Sequence, residues 1–137
     1  GDLVPYRSEW EVWSEEYKLA GSIDMVFYRP SDNSYVIYDW KRSKEIKTEN
    51  TFGETGYGPL AHIPNLNYWA YTIQLNVYRW FLETYYGLRI SDMYIVIFHP
   101  NNSNYRRFRL NRLEDEVKGM LDARLQAVRS GKQGVLF

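Results

Sequence analysis

Leu19-Ala-Gly-Ser-Ile-Asp-Met-Val-Phe27, followed after a short turn by Tyr35-Val-Ile-Tyr-Asp-Trp-Lys41, decides how this chain is read. Both stretches are rich in β-branched and aromatic residues, and Pro30-Ser-Asp-Asn33 between them is strong turn chemistry. They therefore read as two antiparallel strands, Leu19 to Tyr28 and Ser34 to Lys41. A four-residue loop is one of the common hairpin connections. In a symmetric hairpin Arg29 faces Ser34, and the same register sets Asp24 opposite Asp39.

That register has chemical content. Like charges directly across a strand pair, with Cβ atoms about 4.5–5.5 Å apart, destabilise a sheet. A divalent cation relieves the conflict, and hard carboxylate oxygens suit Mg2+ or Mn2+. Lys41 follows Asp39 by two residues and projects from the same face. Two acids, one base and a cation form a set for hydrolysing a phosphodiester. The cation polarises a phosphoryl oxygen and lowers the pKa of its water, and Lys41 orients the nucleophile or offsets developing negative charge. The plain alternative is that both aspartates end strands and Lys41 pairs with one of them.

Upstream, Glu9 to Tyr17 alternates and reads as a first strand, so the chain opens as an antiparallel meander. Downstream, Arg42 to about Asn67 fades into Gly, Pro, Thr and Asn. A connection of that length is functional or mobile, and Gly53, Gly56 and Gly58 are not followed by the Gly-Lys-Ser/Thr of a phosphate loop. Asn67 to Tyr86 reads as the central helix, stopped by Gly87. At about 100° per residue, Thr72, Asn76, Arg79, Glu83 and Tyr86 form one polar arc on an otherwise apolar helix. Gln74 lies near the middle of the apolar arc and Tyr78 one turn on, so the Gln74 amide must find partners. Asp92 to His99 and Tyr105 to Leu110 read as two further strands. Asn111, with Glu114 three residues on, reads as the cap of a final helix with Val117, Leu121, Leu125 and Val128 in one stripe.

The chain has 137 residues, 45% hydrophobic and 25% charged, which is one globular domain's worth. No apolar run reaches the roughly 18 residues of a membrane span, so no membrane partner is expected. The absence of cysteine excludes disulfides and thiolate metal sites from this stretch and is compatible with an intracellular setting. Formal net charge is zero, yet Lys41, Arg42, Lys44 and Lys47 cluster in one segment and Arg106, Arg107, Arg109 and Arg112 in another. Such clusters can meet phosphate or be ordinary solvated faces.

Gly21-Ser-Ile-Asp24, then Asp39-Trp-Lys41, then Gln74-Leu-Asn-Val-Tyr78 resembles the motif series of the PD-(D/E)xK nuclease superfamily, in its RecB-like, lambda exonuclease-like branch. The mitochondrial genome maintenance exonuclease belongs among the relatives so implied. The similarity spans roughly Glu9 to His99. It implies a restriction-endonuclease-like α/β core, a central mixed sheet of about five strands flanked by helices. It further implies metal ligation by Asp24, Asp39 and the main-chain carbonyl of Trp40, catalysis by Lys41, and support of the site or the DNA by Gln74 and Tyr78. Ile23 stands where the superfamily's name puts Pro, and Asp39 replaces the commoner Glu; the branch accommodates both. Relatives carry a further His or Glu on an upstream helix; that ligand either lies outside this stretch or is replaced here by Glu9, with Glu11 as rival. No iron–sulfur cluster is expected.

The expectation is thus a single domain cut from a longer chain, a Mg2+- or Mn2+-dependent nuclease acting on DNA single strands or ends. The rival is a non-catalytic nucleic-acid-binding module with a nuclease fold, inside a larger helicase or polymerase chain; a third reading is a protein-interaction domain with an exposed aromatic patch. His62 and His99 read as structural or solvent-facing, and Phe52 or Tyr57 in the long connection could stack on unpaired bases.

Overall fold

A computed structural model describes residues 2–42, 65–98 and 105–137. In chain order the elements are β1 (Val4–Ser14), β2 (Leu19–Arg29), β3 (Ser34–Arg42), α1 (Asn65–Tyr86), β4 (Ile90–Phe98), β5 (Tyr105–Arg109), α2 (Glu114–Arg129) and the short β6 (Val135–Leu136). The sheet runs β1-β2-β3-β4-β5, with β6 joined to β2. Neighbours are antiparallel except β3 with β4 and β2 with β6, which are parallel. A parallel pair needs a long crossover, usually helical, and α1 lies within the one between β3 and β4. The mixed sheet and two helices give the expected α/β class.

The hairpin register holds over Arg29↔Ser34, Tyr28↔Tyr35, Phe27↔Val36, Val26↔Ile37 and Met25↔Tyr38. The first strand departs from expectation, starting at Val4 and ending at Ser14 rather than covering Glu9 to Tyr17. Its pairing shifts between Pro5 and Arg7, and Glu9 takes a left-handed φ of 47°. Such irregularities break the period-2 pattern on which a reading by alternation depends.

Both described helices serve one core. Trp10, Val12, Ile23, Val26, Ile37, Met93, Ile95 and Phe108 from the strands join Leu75, Val77, Tyr78, Phe81 and Leu82 of α1 and Val117 and Leu121 of α2 in a single cluster. The other face of the sheet carries Val36 and Val96, buried but outside that cluster.

The polar arc of α1 proves to be buried at Thr72, Asn76 and Arg79. The segment before α2 covers it. Asn76 Nδ2 donates to the carbonyls of Thr72 and Asn111, and its Oδ1 accepts from the Leu113 amide at 2.8 Å. Arg79 and Arg112 both reach Glu83. Leu113, not Asn111, is therefore the cap residue of α2, with no side-chain cap bond of its own. The carboxamide of Asn76 satisfies the Leu113 amide from α1 instead.

Candidate active site

β2 and β3 pair regularly up to Met25 and Tyr38, and beyond them Asp24 and Asp39 would be the next opposed pair. Instead of extending the ladder, the Asp24 carboxylate accepts the Trp40 amide through Oδ2 at 2.9 Å. The strands part there, and β6 takes the edge of β2 opposite β1, pairing Leu19 with Val135 and Ala20 with Leu136. The fork so made places the side chains of Asp24, Asp39 and Lys41 at the end of the β2–β3 pairing, on the side of α1.

Asp39 is 4% exposed. Burial first and then the neighbouring Asp24 carboxylate push its carboxyl up to about 7, against the pull of Lys41. The Lys41 ammonium lies 2.8 Å from Asp39 Oδ2, but off hydrogen-bond alignment, so this buried oxygen has no donor pointed at it. Lys41 instead donates to Gln74 Oε1 at 3.1 Å and sits 4.4 Å from the centre of the Tyr71 ring. A cation held between a carboxylate, an amide oxygen and an aromatic face is oriented on three sides.

Tyr78 lies beneath the acids. Its phenol is raised above the ordinary range by burial first and then by the charges of Asp39 and Asp24. Its hydroxyl donates to the main-chain carbonyl of Phe137 at 3.1 Å. The ring edge reaches β2 so closely that a Cβ at Gly21 would fall 2.7 Å from Tyr78 Cε1. Glycine is required there by the approach of the ring. The motif stretch contains Gly21, but its partner on α1 is not readable from spacing. Tyr71 was likewise missed; its signal is the position three residues before Gln74, on the same helix face.

Asp24, Asp39, Lys41, Gln74 and Tyr78 are thus brought together. Glu9 lies on β1. The flanking pairs Ser8↔Met25 and Trp10↔Ile23 set it across from Asp24, exposed and with left-handed backbone. Glu11 is paired with Ser22, between the core residues Trp10 and Val12, and so faces away from the core. Among the described residues no group of three or more His, Asp or Glu side chains is arranged to hold a metal ion. His62, His99, Phe52, Tyr57, Lys44 and Lys47 lie outside the described residues.

The pair itself fits a divalent cation in its chemistry. Two adjoining carboxylates, one with a buried oxygen lacking an aligned donor, form a hard-oxygen acceptor set that a proton or a cation can complete.

No protein-family model and no curated protein matches the chain. Solved structures do. The chain is similar to SSO0001, with 15% identity and a TM-score of 0.50 over 93% of this chain and 51% of that one. It is also similar to a candidate exonuclease from Eubacterium rectale, with 20% identity and a TM-score of 0.52 over 91% of this chain and 46% of that one. At such identities the likeness is one of fold. The chain spans about half the length of either protein. No helix among the described residues is long and apolar enough to cross a membrane.

Proposed function

We propose that this chain is a divalent-metal-dependent nuclease that hydrolyses DNA phosphodiester bonds, acting on single strands or ends, of the PD-(D/E)xK type and its RecB-like, lambda exonuclease-like branch. The observation that carries the reading is the buried Asp39 carboxylate. It lies beside Asp24, has an oxygen without an aligned donor, and has the Lys41 ammonium 2.8 Å away. The motif spacing and the fold shared with a candidate exonuclease support it.

Asp24, Asp39 and the main-chain carbonyl of Trp40 would hold Mg2+ or Mn2+. Bound there, the ion would supply Lewis acidity toward a phosphoryl oxygen and an acidified water. Asp24 has a second duty, since its bond to the Trp40 amide fixes the backbone on either side of which Asp39 and Lys41 project. Lys41 carries three donors, and its contacts with Asp39 and Gln74 leave capacity to orient a water or a phosphate oxygen. Gln74 is a positioning residue, acting through Lys41. Tyr78 supports the floor beneath both acids.

The test is cleavage of end-labelled single- and double-stranded DNA with Mn2+, Mg2+ or chelator. Wild type is expected to cleave only with metal, and Asp39→Ala and Lys41→Ala to lose cleavage by about two orders of magnitude or more. Cleavage at the wild-type rate by either variant would sink the assignment. A second reading draws on one observation, that no third acid or histidine joins the pair among the described residues. It is a non-catalytic nucleic-acid-binding module within a longer helicase or polymerase chain. Binding that ignores chelator, with no cleavage under either metal, would select it.

A further inference from the structure

The face of the sheet turned away from both helices carries two groups of aromatic rings. Alternation along β3 sends Asp39 and Lys41 toward α1, and Tyr38, Trp40 and Arg42 to the other side. The register then aligns Met25 with Tyr38, Tyr38 with Tyr94, Trp40 with Val96, and Val96 with Arg107. Phe27 meets Tyr38 edge-on at 5.0 Å, and Tyr38 meets Tyr94 at 5.1 Å and Trp40 at 5.8 Å. At the outer end Phe98 and Tyr105 lie 6.0 Å apart. Trp40 is 40% exposed, Phe98 37% and Tyr105 62%, so large rings stand open to solvent.

Positive charge is set among the rings. Arg107 lies over the Tyr94 ring at 4.7 Å and donates to the Tyr38 hydroxyl at 2.9 Å, which holds its guanidinium flat against the surface. Asp92, the acid between these strands, is already paired with Arg29 at 3.0 Å and Arg109 at 2.7 Å. The face therefore presents rings with the Arg107 guanidinium set among them.

We propose that this face is a binding platform for single-stranded DNA, with bases stacked on Trp40, Phe98 and Tyr105 and phosphates drawn to Arg107. Every base offers a π-face to such rings, and a duplex hides those faces in its own stack. A second copy of the chain is the poorer occupant. A two-fold contact apposes a patch with itself, which would bring the arginines of this face toward their own images. The platform also shares a strand with the candidate active site, since Trp40 lies between Asp39 and Lys41. The choice of DNA rests on the nuclease reading above.

The test is anisotropy of a labelled oligothymidine in chelator, run beside metal-dependent cleavage. Tyr105→Ala and Phe98→Ala are each expected to weaken binding about fivefold or more, as loss of one stacked ring does. Tyr105→Phe should bind as wild type does, and Arg107→Gln should weaken binding and flatten its salt dependence. In Tyr105→Ala, Phe98→Ala and Arg107→Gln the KM of cleavage should rise as binding weakens. Absence of wild-type binding, unchanged affinity in Tyr105→Ala, Phe98→Ala and Arg107→Gln, or equal capture of duplex would overturn the platform. So would unchanged affinity with a shift from dimer to monomer in sedimentation, which would mark the face as a contact between copies. An Asp39→Asn variant that binds normally without cleaving supports both readings. One that cleaves normally ends the nuclease assignment and leaves the platform to its own result.

Discussion

Asp39 concentrates the chemistry of this molecule in one proton. Its carboxyl titrates near 3.8 outside the fold and is pushed up to about 7 within it, by burial and by Asp24. Between those values the native state holds the proton and the unfolded state does not. Stability from this group is therefore complete below about pH 4 and lost as pH rises to about 7. By linkage, at about 1.36 kcal/mol per pH unit, the loss is on the order of 4 kcal/mol. Asp39→Asn, which cannot ionise, should gain stability relative to wild type across that interval and keep a constant advantage above it. Urea titrations at pH 4.5, 6 and 8 would check this; a difference that does not grow with pH would refute the buried-acid account. Adding Mn2+ at pH 8 should stabilise wild type, by about 2.7 kcal/mol at a hundredfold excess over its Kd, and leave Asp39→Asn unchanged. Gln74→Leu removes the amide oxygen that receives Lys41. It should lower kcat about tenfold, about 1.4 kcal/mol of barrier, with little change in KM, since Gln74 acts through Lys41 on the reacting group.

At the scale of elements, the hairpin was the most legible part of the chain. Pro30-Ser-Asp-Asn33 sets the turn, and the predicted register is reproduced from Arg29 through Met25. The register was not enough to show that pairing stops one step short of the acids. That depends on the Asp24 carboxylate reaching the Trp40 amide, a contact between side chain and backbone that no periodicity encodes. The polar arc of α1 was legible as an arc but not as buried, because its partners are main-chain groups of residues 111–113 brought in by the fold. Asn76→Ala should cost about 3 kcal/mol, from buried groups left without partners, and calorimetry should show the loss without an effect on cleavage at permissive temperature. Gly21→Ala drives a methyl into Tyr78 at 2.7 Å. It should cost about 1–3 kcal/mol as overpacking does, and Tyr78→Leu in the same chain should relieve most of that cost.

For the whole molecule, the alternation of strands and one long helical crossover was sufficient to read a mixed α/β sheet, because topology follows from which connections are long. The placement of both described helices on one face was not readable, since amphipathicity shows that a helix has a buried side and not which layer it joins. The arginines of β5 were legible from residue order although net charge is zero, since a sum carries no positions.

A sheet with one open face and two outer strands is exposed to misassembly, because unpaired backbone at an edge is a template for another chain's strand. Each rim of this sheet carries a deterrent. β1 has Pro5, a slipped register and the left-handed turn of Glu9, which bend the strand away from the straight line a docking partner needs. β5 puts three arginines into five residues, so that a second β5 approaching edge to edge meets its own charge. Local distortions on one side and charge repulsion on the other let the sheet keep its aromatic face open while its edges resist recruiting a further strand.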